Sequence, residues 1–265
     1  MTIPPDRFSA ADYYTRRDEP DLTPADVLAG FPEDTALRIE QAQKTLRLAD
    51  STIALHKVDG IYSETRQALH EAIISKILSE DRVKAATPRP GQRPTFIMLG
   101  GRGGSGKSWF KEKVYQPERC IVLDADVIKK ELPEYEGWNA FLLHEESSEL
   151  FDRLTDFALA LGLNLVHDAT LKTTDKAVAL ISRVKAAGYR VEVHYMYLSR
   201  KAAAVRAIAR FLGDTGRLVP PSVILSNTGN EASFDAVKAS ADAWSFRDND
   251  VPPGQPPKLV SENLG

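Results

Sequence analysis

The 265 residues carry 34 Lys+Arg against 37 Asp+Glu, and 43% are apolar. That is the profile of a globular chain with a sizeable core, and a formal charge of −3 gives no reason to expect nucleic acid or an anionic membrane as partner. A lone cysteine, Cys120, excludes an internal disulfide and any zinc site built on thiolate pairs, and no stretch has the apolar length of a membrane span or secretory leader, so the expectation is a cytoplasmic protein acting on a small polar ligand.

The first 22 residues show no clear periodicity. Thr23-Pro24-Ala25-Asp26 has the form of a helix start, with Thr23 as N-cap, proline in the first turn and an acid near the amide end; Gly30 ends that helix. Ile39, Ala42, Leu46 and Ala49 predict one buried helical stripe over 35–49. Leu69, Ile73 and Ile77, with Ala72 and Leu78 beside them, predict a second after Ser63. The proline-rich stretch from Ala86 to Pro94 cannot continue a helix, so residues 1–92 are expected to form a small helical region and linker ahead of a domain over 93–265.

Phe96-Ile97-Met98-Leu99 then delivers the chain to Gly101-Arg102-Gly103-Gly104-Ser105-Gly106-Lys107-Ser108, which has the Gly, four residues, Gly-Lys-Ser spacing of a phosphate-binding P-loop. Glycines let successive N–H groups turn inward, and a helix, expected over Lys107 to Tyr115, begins where the phosphates lie. Gly101, Gly103, Gly104, Ser105, Gly106, Lys107 and Ser108 are therefore the candidate nucleotide-binding residues. Lys107 would reach the β- and γ-phosphates, and the Ser108 hydroxyl would ligate Mg2+.

Arg119 to Asp124 reads as a short buried strand, with Asp124 and Asp126 at its carboxyl end. Asn139 to Leu161 reads as a long helix stopped by Gly162, and Leu163 to Asp168 as another strand ending in a carboxylate. A helix bearing Val178, Ile181, Val184 and Ala187, capped by Gly188, precedes the alternating strand Arg190 to Leu198. Strands separated by helices predict an α/β fold, a parallel sheet with helices on both faces, whose ligands gather beyond the carboxyl ends of the strands. A basic helix with Arg206 and Arg210 over Arg200 to Leu212, a glycine-bounded turn from Gly213 to Arg217, short helices over 220–225 and 231–239, a last strand at Trp244-Ser245-Phe246 and a surface tail over 251–257 complete the pattern.

Phosphoryl transfer to a hydroxyl needs a group to take its proton, Mg2+, and cations on the migrating phosphoryl group. Asp124 and Asp126, on the strand expected beside the P-loop strand, are both base candidates; either could instead cap the helix starting near Val127. Asp168 could hold Mg2+ through water or position the acceptor, with a hydrogen bond to the turn at Thr170 as the structural alternative. Arg210 and Arg217, on the helix and turn of a closing lid, are the candidate phosphate clamps, with solvated surface arginine as the plain alternative. His144 with Glu145 and Glu146 is a candidate acceptor-site cluster, although carboxylates there could simply complement a helix dipole.

In order along the chain, Leu99 to Ser108, Val122 to Tyr135, His144 to Ser148, Asp168-Ala169-Thr170, Gly188 to Val191, and Arg210 with Arg217 resemble the zeta toxins of bacterial epsilon/zeta toxin–antitoxin systems, over residues 93–250. The resemblance implies a P-loop kinase-like domain that uses ATP or GTP with Mg2+ and phosphorylates a hydroxyl of a UDP-sugar such as UDP-N-acetylglucosamine. It implies Asp126 as the base in preference to Asp124, Lys107 and Ser108 on the nucleotide phosphates and Mg2+, and Arg210 and Arg217 as transition-state clamps. Asp124, Asp168, Thr170, His144 and Glu145 would lie on the acceptor side, with Asp168 also serving the metal. An antitoxin protein, or residues 1–92 acting in cis as an occluding segment, would be the regulatory partner. The chain departs from the family pattern at Ala169, where a glycine is usual, at Leu132, where some relatives have histidine, and in its helical extension. A kinase of another nucleotide-type metabolite and a nucleotide-binding regulatory module that docks a protein are the competing functions.

Overall fold

A computed structural model describes residues 2–114, 117–213, 215–252 and 254–265, with Lys113, Val114 and Pro117 described by backbone alone. Tyr115 of the expected P-loop helix, Asp214 of the expected turn and Pro253 of the tail lie outside the described residues.

Several helices ahead of the P-loop start on side-chain caps. Ser9 accepts from the Asp12 N–H at the head of α1 (Ala10–Thr15), a helix that the sequence does not announce. Thr23 and Asp26 form a reciprocal capping box on α2 (Pro24–Leu28), as the sequence predicts. After α3 (Glu33–Leu48), Ser51 caps α4 (Thr52–His56). Asp59 and Gly60, at φ 51° and 79°, then turn β1 (Lys57–Val58) into β2 (Ile61–Tyr62), a small ribbon that sequence pattern also misses. Ser63 caps α5 (Glu64–Ile77), and α6 (Glu80–Ala86) follows. In α5 the buried apolar residues are Ile73, Ile74 and Ile77, while the expected Ala72 is exposed. Arg66 and His70 share the buried face, and a hydrophobic pattern cannot register them.

The main sheet comprises β3 (Thr95–Gly100), β4 (Ile121–Asp124), β5 (Leu165–Asp168), β6 (Arg190–Tyr197), β7 (Ala243–Asp248) and β8 (Lys258–Asn263), in the order β4-β5-β3-β6-β7-β8. Neighbours are parallel except β8, which runs antiparallel to β7 and was not predicted. The strand beside the P-loop strand is thus β5, ending at Asp168, and not β4, ending at Asp124. Burial explains the exchange. Leu165-Val166-His167 is buried throughout and suits an interior strand, whereas β4 alternates buried and half-buried positions, as an edge allows.

The helices are α7 (Lys107–Val114), α8 (Ala125–Glu131), α9 (His144–Ala160), α10 (Thr174–Ala186), α11 (Arg200–Leu212), α12 (Pro221–Leu225) and α13 (Asn230–Lys238). Helix α9 begins at His144 and not at the expected Asn139, because the Asn139 side chain bonds Glu136 N and Glu134 O and folds that stretch into turns. None of the described helices is long and apolar enough to cross a membrane.

Period-two alternation sorts β3 between two apolar layers: Phe96 and Met98 face one, Ile97 and Leu99 the other with Phe110 of α7. The larger layer also takes in Phe8, Ala10, Ile73, Ile74, Ile77 and Ala86, so apolar packing runs across the proline-rich stretch. A separate cluster joins Val27 and Ile39 to Ala203, Ala207 and Ile208 of α11.

His167 lies between the rings of Phe96 and Phe151, at 5.5 and 4.6 Å, and its Nδ1 finds no hydrogen-bond partner among the described residues. Burial pushes its pKa down to about 4. A histidine depressed on folding favours the native state above its unfolded pKa, roughly 6.5, and withdraws that stability as pH falls towards 4, at a cost on the order of 3 kcal/mol. Urea midpoints between pH 7 and 4.5 should therefore fall more steeply for wild type than for His167→Phe; parallel slopes would contradict this.

Candidate nucleotide and phosphoryl-transfer site

Between β3 and α7 the loop turns at Gly101, Gly104 and Gly106, whose φ values of 136°, 85° and 91° favour glycine. A Cβ on Gly101 would lie 2.5 Å from Met196 O, and one on Gly106 would lie 2.3 Å from Asn249 Nδ2. The loop is held from outside. Asn249 Nδ2 donates to Ser105 O at 2.8 Å, and Arg206 donates to Gly104 O at 3.4 Å and to Asn249 O at 2.9 Å. Gly106→Ala, strained by both φ and contact, should lower the thermal midpoint by the equivalent of about 1–3 kcal/mol. Gly103→Ala, with only Arg210 Nη2 near at 3.9 Å, should melt close to wild type. Equal midpoints for the two variants would refute the assignment.

Lys107 Nζ donates to Gly101 O at 2.7 Å and Arg102 O at 3.3 Å, and stands 3.8 Å from Asp168 Oδ1. Burial pulls its pKa below the ordinary lysine value, against the pull of Asp168 and Asp124. One turn along α7, Lys111 Nζ bridges Asp168 Oδ2 at 2.7 Å and Asp124 Oδ2 at 3.2 Å. Burial acts against its charge, but those two carboxylates outweigh it and raise its pKa. Lys111 therefore ties the ends of β4 and β5 to the P-loop helix, a role the sequence reading missed; its place one turn after Lys107 was the available signal. Asp124 also accepts from Asp126 N at 2.9 Å, so it caps α8, the structural alternative raised from sequence. Asp168 is held by the lysines. Thr170 is exposed, and its carbonyl accepts from Asn230 Nδ2 at 2.5 Å.

Asp126, in the first turn of α8, has Arg217 Nη1 at 2.7 Å on one oxygen and Lys129 Nζ at 3.4 Å on the other. Lys129, overlooked in the sequence although three residues along the same helix, is buried; burial lowers its pKa against the opposing pull of Asp126. Arg210 lies by Gly103, and burial together with Arg217 lowers its pKa from the usual arginine value. The Nε atoms of Arg210 and Arg217 and the Ser105 hydroxyl are buried with no hydrogen-bond partner among the described residues. Gly137 packs on the turn that precedes Arg217; a Cβ there would meet Thr215 O at 3.0 Å.

The predicted His144-Glu145-Glu146 cluster divides. His144 is exposed at the start of α9, with partial desolvation of the ring by its surroundings and then Lys129 lowering its pKa; Glu145 is exposed beside it. Glu146 turns inward, fully buried, to Arg66 at 2.6 and 2.8 Å and to His70 at 2.7 Å. Arg66 also grips Glu134 at 2.8 and 3.0 Å, and His56 meets the same carboxylate at 2.7 Å. Residues 1–92 thus reach α9 and the segment after α8 through a buried charge network. At the other end of the extension, Tyr13 OH and Arg17 Nη1 reach Asp248 at 2.6 and 2.5 Å, and Asp18 pairs with Arg200 at 2.7 and 2.8 Å.

A glycine-turned loop between a buried strand and a helix, with its lysine folded against the loop carbonyls, places the chain among the P-loop α/β proteins. Within that class it belongs to the zeta toxin family, whose model matches residues 79–248. The Toxin zeta proteins of Enterococcus hirae and Streptococcus pyogenes are each 25% identical to it over 131 residues, which is 45% of this chain and 45% of theirs. The chain therefore spans a little under half the length of the curated relatives it matches. Among solved structures, the AvrRxo1-ORF1:AvrRxo1-ORF2 assembly with sulphate ions superposes with a TM-score of 0.60 at 20% identity, covering 77% of this chain and 69% of that one. The same assembly has been solved with ATP, at 19% identity and a TM-score of 0.60, covering 77% and 68%. The PezAT chromosomal toxin-antitoxin system of Streptococcus pneumoniae gives 0.57 at 17% identity, covering 76% and 83%. At these identities the structural likeness is one of fold.

Proposed function

We propose that this chain is a cytoplasmic kinase that moves the γ-phosphate of ATP or GTP to a hydroxyl of a small acceptor of the UDP-sugar class, UDP-N-acetylglucosamine being the first candidate. The observation that carries the proposal is the pairing of Asp126 with Arg217 while the buried Nε donors of Arg217 and Arg210 have no hydrogen-bond partner among the described residues. A binding module needs no carboxylate beside its anion clamps; a phosphotransferase needs both.

Loop N–H groups from Gly101 to Ser108 and the Lys107 ammonium would hold the β- and γ-phosphates, and the unpartnered Ser105 hydroxyl suits the same ligand. Asp126 would orient the acceptor hydroxyl and take its proton once Arg217 turns from the carboxylate to the migrating phosphoryl group. Arg210, beside Gly103, would meet the same charge from the loop side. His144, Glu145 and Thr170, all exposed, would line the acceptor side with Lys129. Mg2+ when bound would supply charge neutralisation on the phosphates. Its hard-oxygen donors would be Ser108, exposed in the first turn of α7, and Asp168, released from Lys111. Membership of the zeta toxin family supports the acceptor class and a protein partner of antitoxin type, and the PezAT neighbour is itself a toxin-antitoxin system.

Incubation with Mg-ATP and UDP-N-acetylglucosamine, followed by mass spectrometry, should yield a monophosphorylated sugar nucleotide. Parallel reactions with other nucleotide sugars and with dinucleotides test the wider acceptor class. Phosphorylation of a dinucleotide alone would move the proposal to another nucleotide-type metabolite; ATP binding with no product from any acceptor would favour a regulatory module.

A further inference from the structure

Arg102 occupies a position inside the P-loop where the binding chemistry makes no demand for a charge, yet its side chain is 0% exposed and points away from the nucleotide side into the protein. Its whole guanidinium is used. Nη1 and Nη2 form a two-pronged pair with Glu231 of α13, the second prong at 2.8 Å. Nε and Nη2 donate to Asn227 O at 3.0 and 2.8 Å, and Nη1 also reaches Leu198 O at 3.3 Å. Glu231, also fully buried, accepts from Tyr195 OH at 2.9 Å, and the Tyr14 ring of α1 covers the guanidinium at 5.0 Å. The backbone carbonyl of the same residue faces the other way, accepting from Ser105 N at 3.1 Å and from Lys107 Nζ at 3.3 Å.

We infer that Arg102 is a positioning residue for nucleotide binding: its buried pair with Glu231 sets the loop carbonyls against which Lys107 is held, and so the placement of the lysine that meets the phosphates. The inference rests on the reading of the loop as a nucleotide site. Only a planar fork reaches Glu231, Asn227 and Leu198 together, so lysine cannot replace it. Removing one partner leaves a buried charge, whereas replacing both with apolar side chains of similar volume is often close to neutral for stability. Stability and nucleotide binding are therefore separable here.

The experiment compares Arg102→Met, Glu231→Leu and the pair Arg102→Met/Glu231→Leu by thermal midpoint, ATP affinity, and hydrogen–deuterium exchange over residues 101–108. Each single variant should melt lower. The pair should recover much of the midpoint yet bind ATP at least about tenfold more weakly, the scale of one lost charge-assisted contact, with faster exchange confined to the loop. Should the pair fail to fold, Tyr195→Phe, which removes one hydrogen bond to Glu231, should still quicken loop exchange and weaken ATP binding by about threefold. A folded pair, or a folded Tyr195→Phe, that binds ATP within twofold of wild type with unchanged loop exchange would overturn the inference. Wild-type protein that ignores ATP while loop exchange still responds to the pair would sink the nucleotide reading and leave the loop-positioning role standing.

Discussion

Asp126→Asn is expected to cut phosphoryl transfer by about 10²–10⁴-fold while ATP affinity stays within about threefold of wild type. The split follows from what the carboxylate touches. Its oxygens pair with Arg217 and Lys129, and among the described residues neither oxygen forms a hydrogen bond or ion pair with the loop or Lys107. Asparagine keeps the shape but cannot take the acceptor proton, so the loss should appear in the turnover rate. Lys107→Ala should show the opposite weighting, because Lys107 lies against the loop carbonyls and beside Asp168. Initial rates with ATP titrations for both variants separate the two roles. A fully active Asp126→Asn would remove the base from the mechanism.

Among single substitutions, Arg66→Met carries the largest expected effect on stability. Glu146 is 0% exposed, and Arg66 supplies two of its hydrogen bonds. Without Arg66 the buried carboxylate retains His70 as a charged-capable partner, and truncating one side of such a pair costs roughly 3–5 kcal/mol. For a chain of this size that corresponds to a fall of about 10 °C in the thermal midpoint. Arg66→Met with Glu146→Leu should recover most of it. The pH sign follows from the same contacts. Burial raises the Glu146 pKa, but Arg66 and then His70 overcome this and hold it well below the usual carboxylate range. The stability it adds is therefore present above the unfolded glutamate value and lost as pH falls towards the folded one. Arg66 also grips Glu134, so the same variant should loosen the segment after α8. Deleting residues 1–92, which the reading of that segment as an occluding one expects to open the site, would strip Ile73, Ile74, Ile77 and Arg66 from their partners and should yield unfolded protein. A soluble, active truncation would show that the extension is dispensable.

The P-loop, its flanking strand and helix, and the carboxylates at strand ends were legible because each follows local rules: an apolar run, glycine spacing, an acid at a strand terminus. Strand order was not legible. Neither Asp124 nor Asp168 announces which strand adjoins β3, and the decision lies in burial on both faces of Leu165-Val166-His167. The bridging place of Lys111, and the burial of Arg102, Lys129 and Glu146, the last expected on the acceptor side, escaped for a related reason. A charged residue that ends up buried looks, in one dimension, like a charged residue in water; its partner, Glu231 for Arg102 or Arg66 for Glu146, is distant in sequence. Arg210 and Arg217 were legible from their place on a late basic helix and a glycine-bounded turn, and family order agreed; that their Nε atoms have no hydrogen-bond partner among the described residues is visible only in three dimensions.

The most direct test of the central claim follows the γ-phosphate itself. Wild type and Asp126→Asn are incubated with Mg2+, ATP labelled with ¹⁸O at the γ position and a mixed metabolite extract, and products are sought by mass spectrometry. The account predicts one labelled phosphomonoester of a nucleotide-type metabolite with wild type and its near absence with Asp126→Asn. Labelled ATP left intact, or label released only as inorganic phosphate by both proteins, would contradict it.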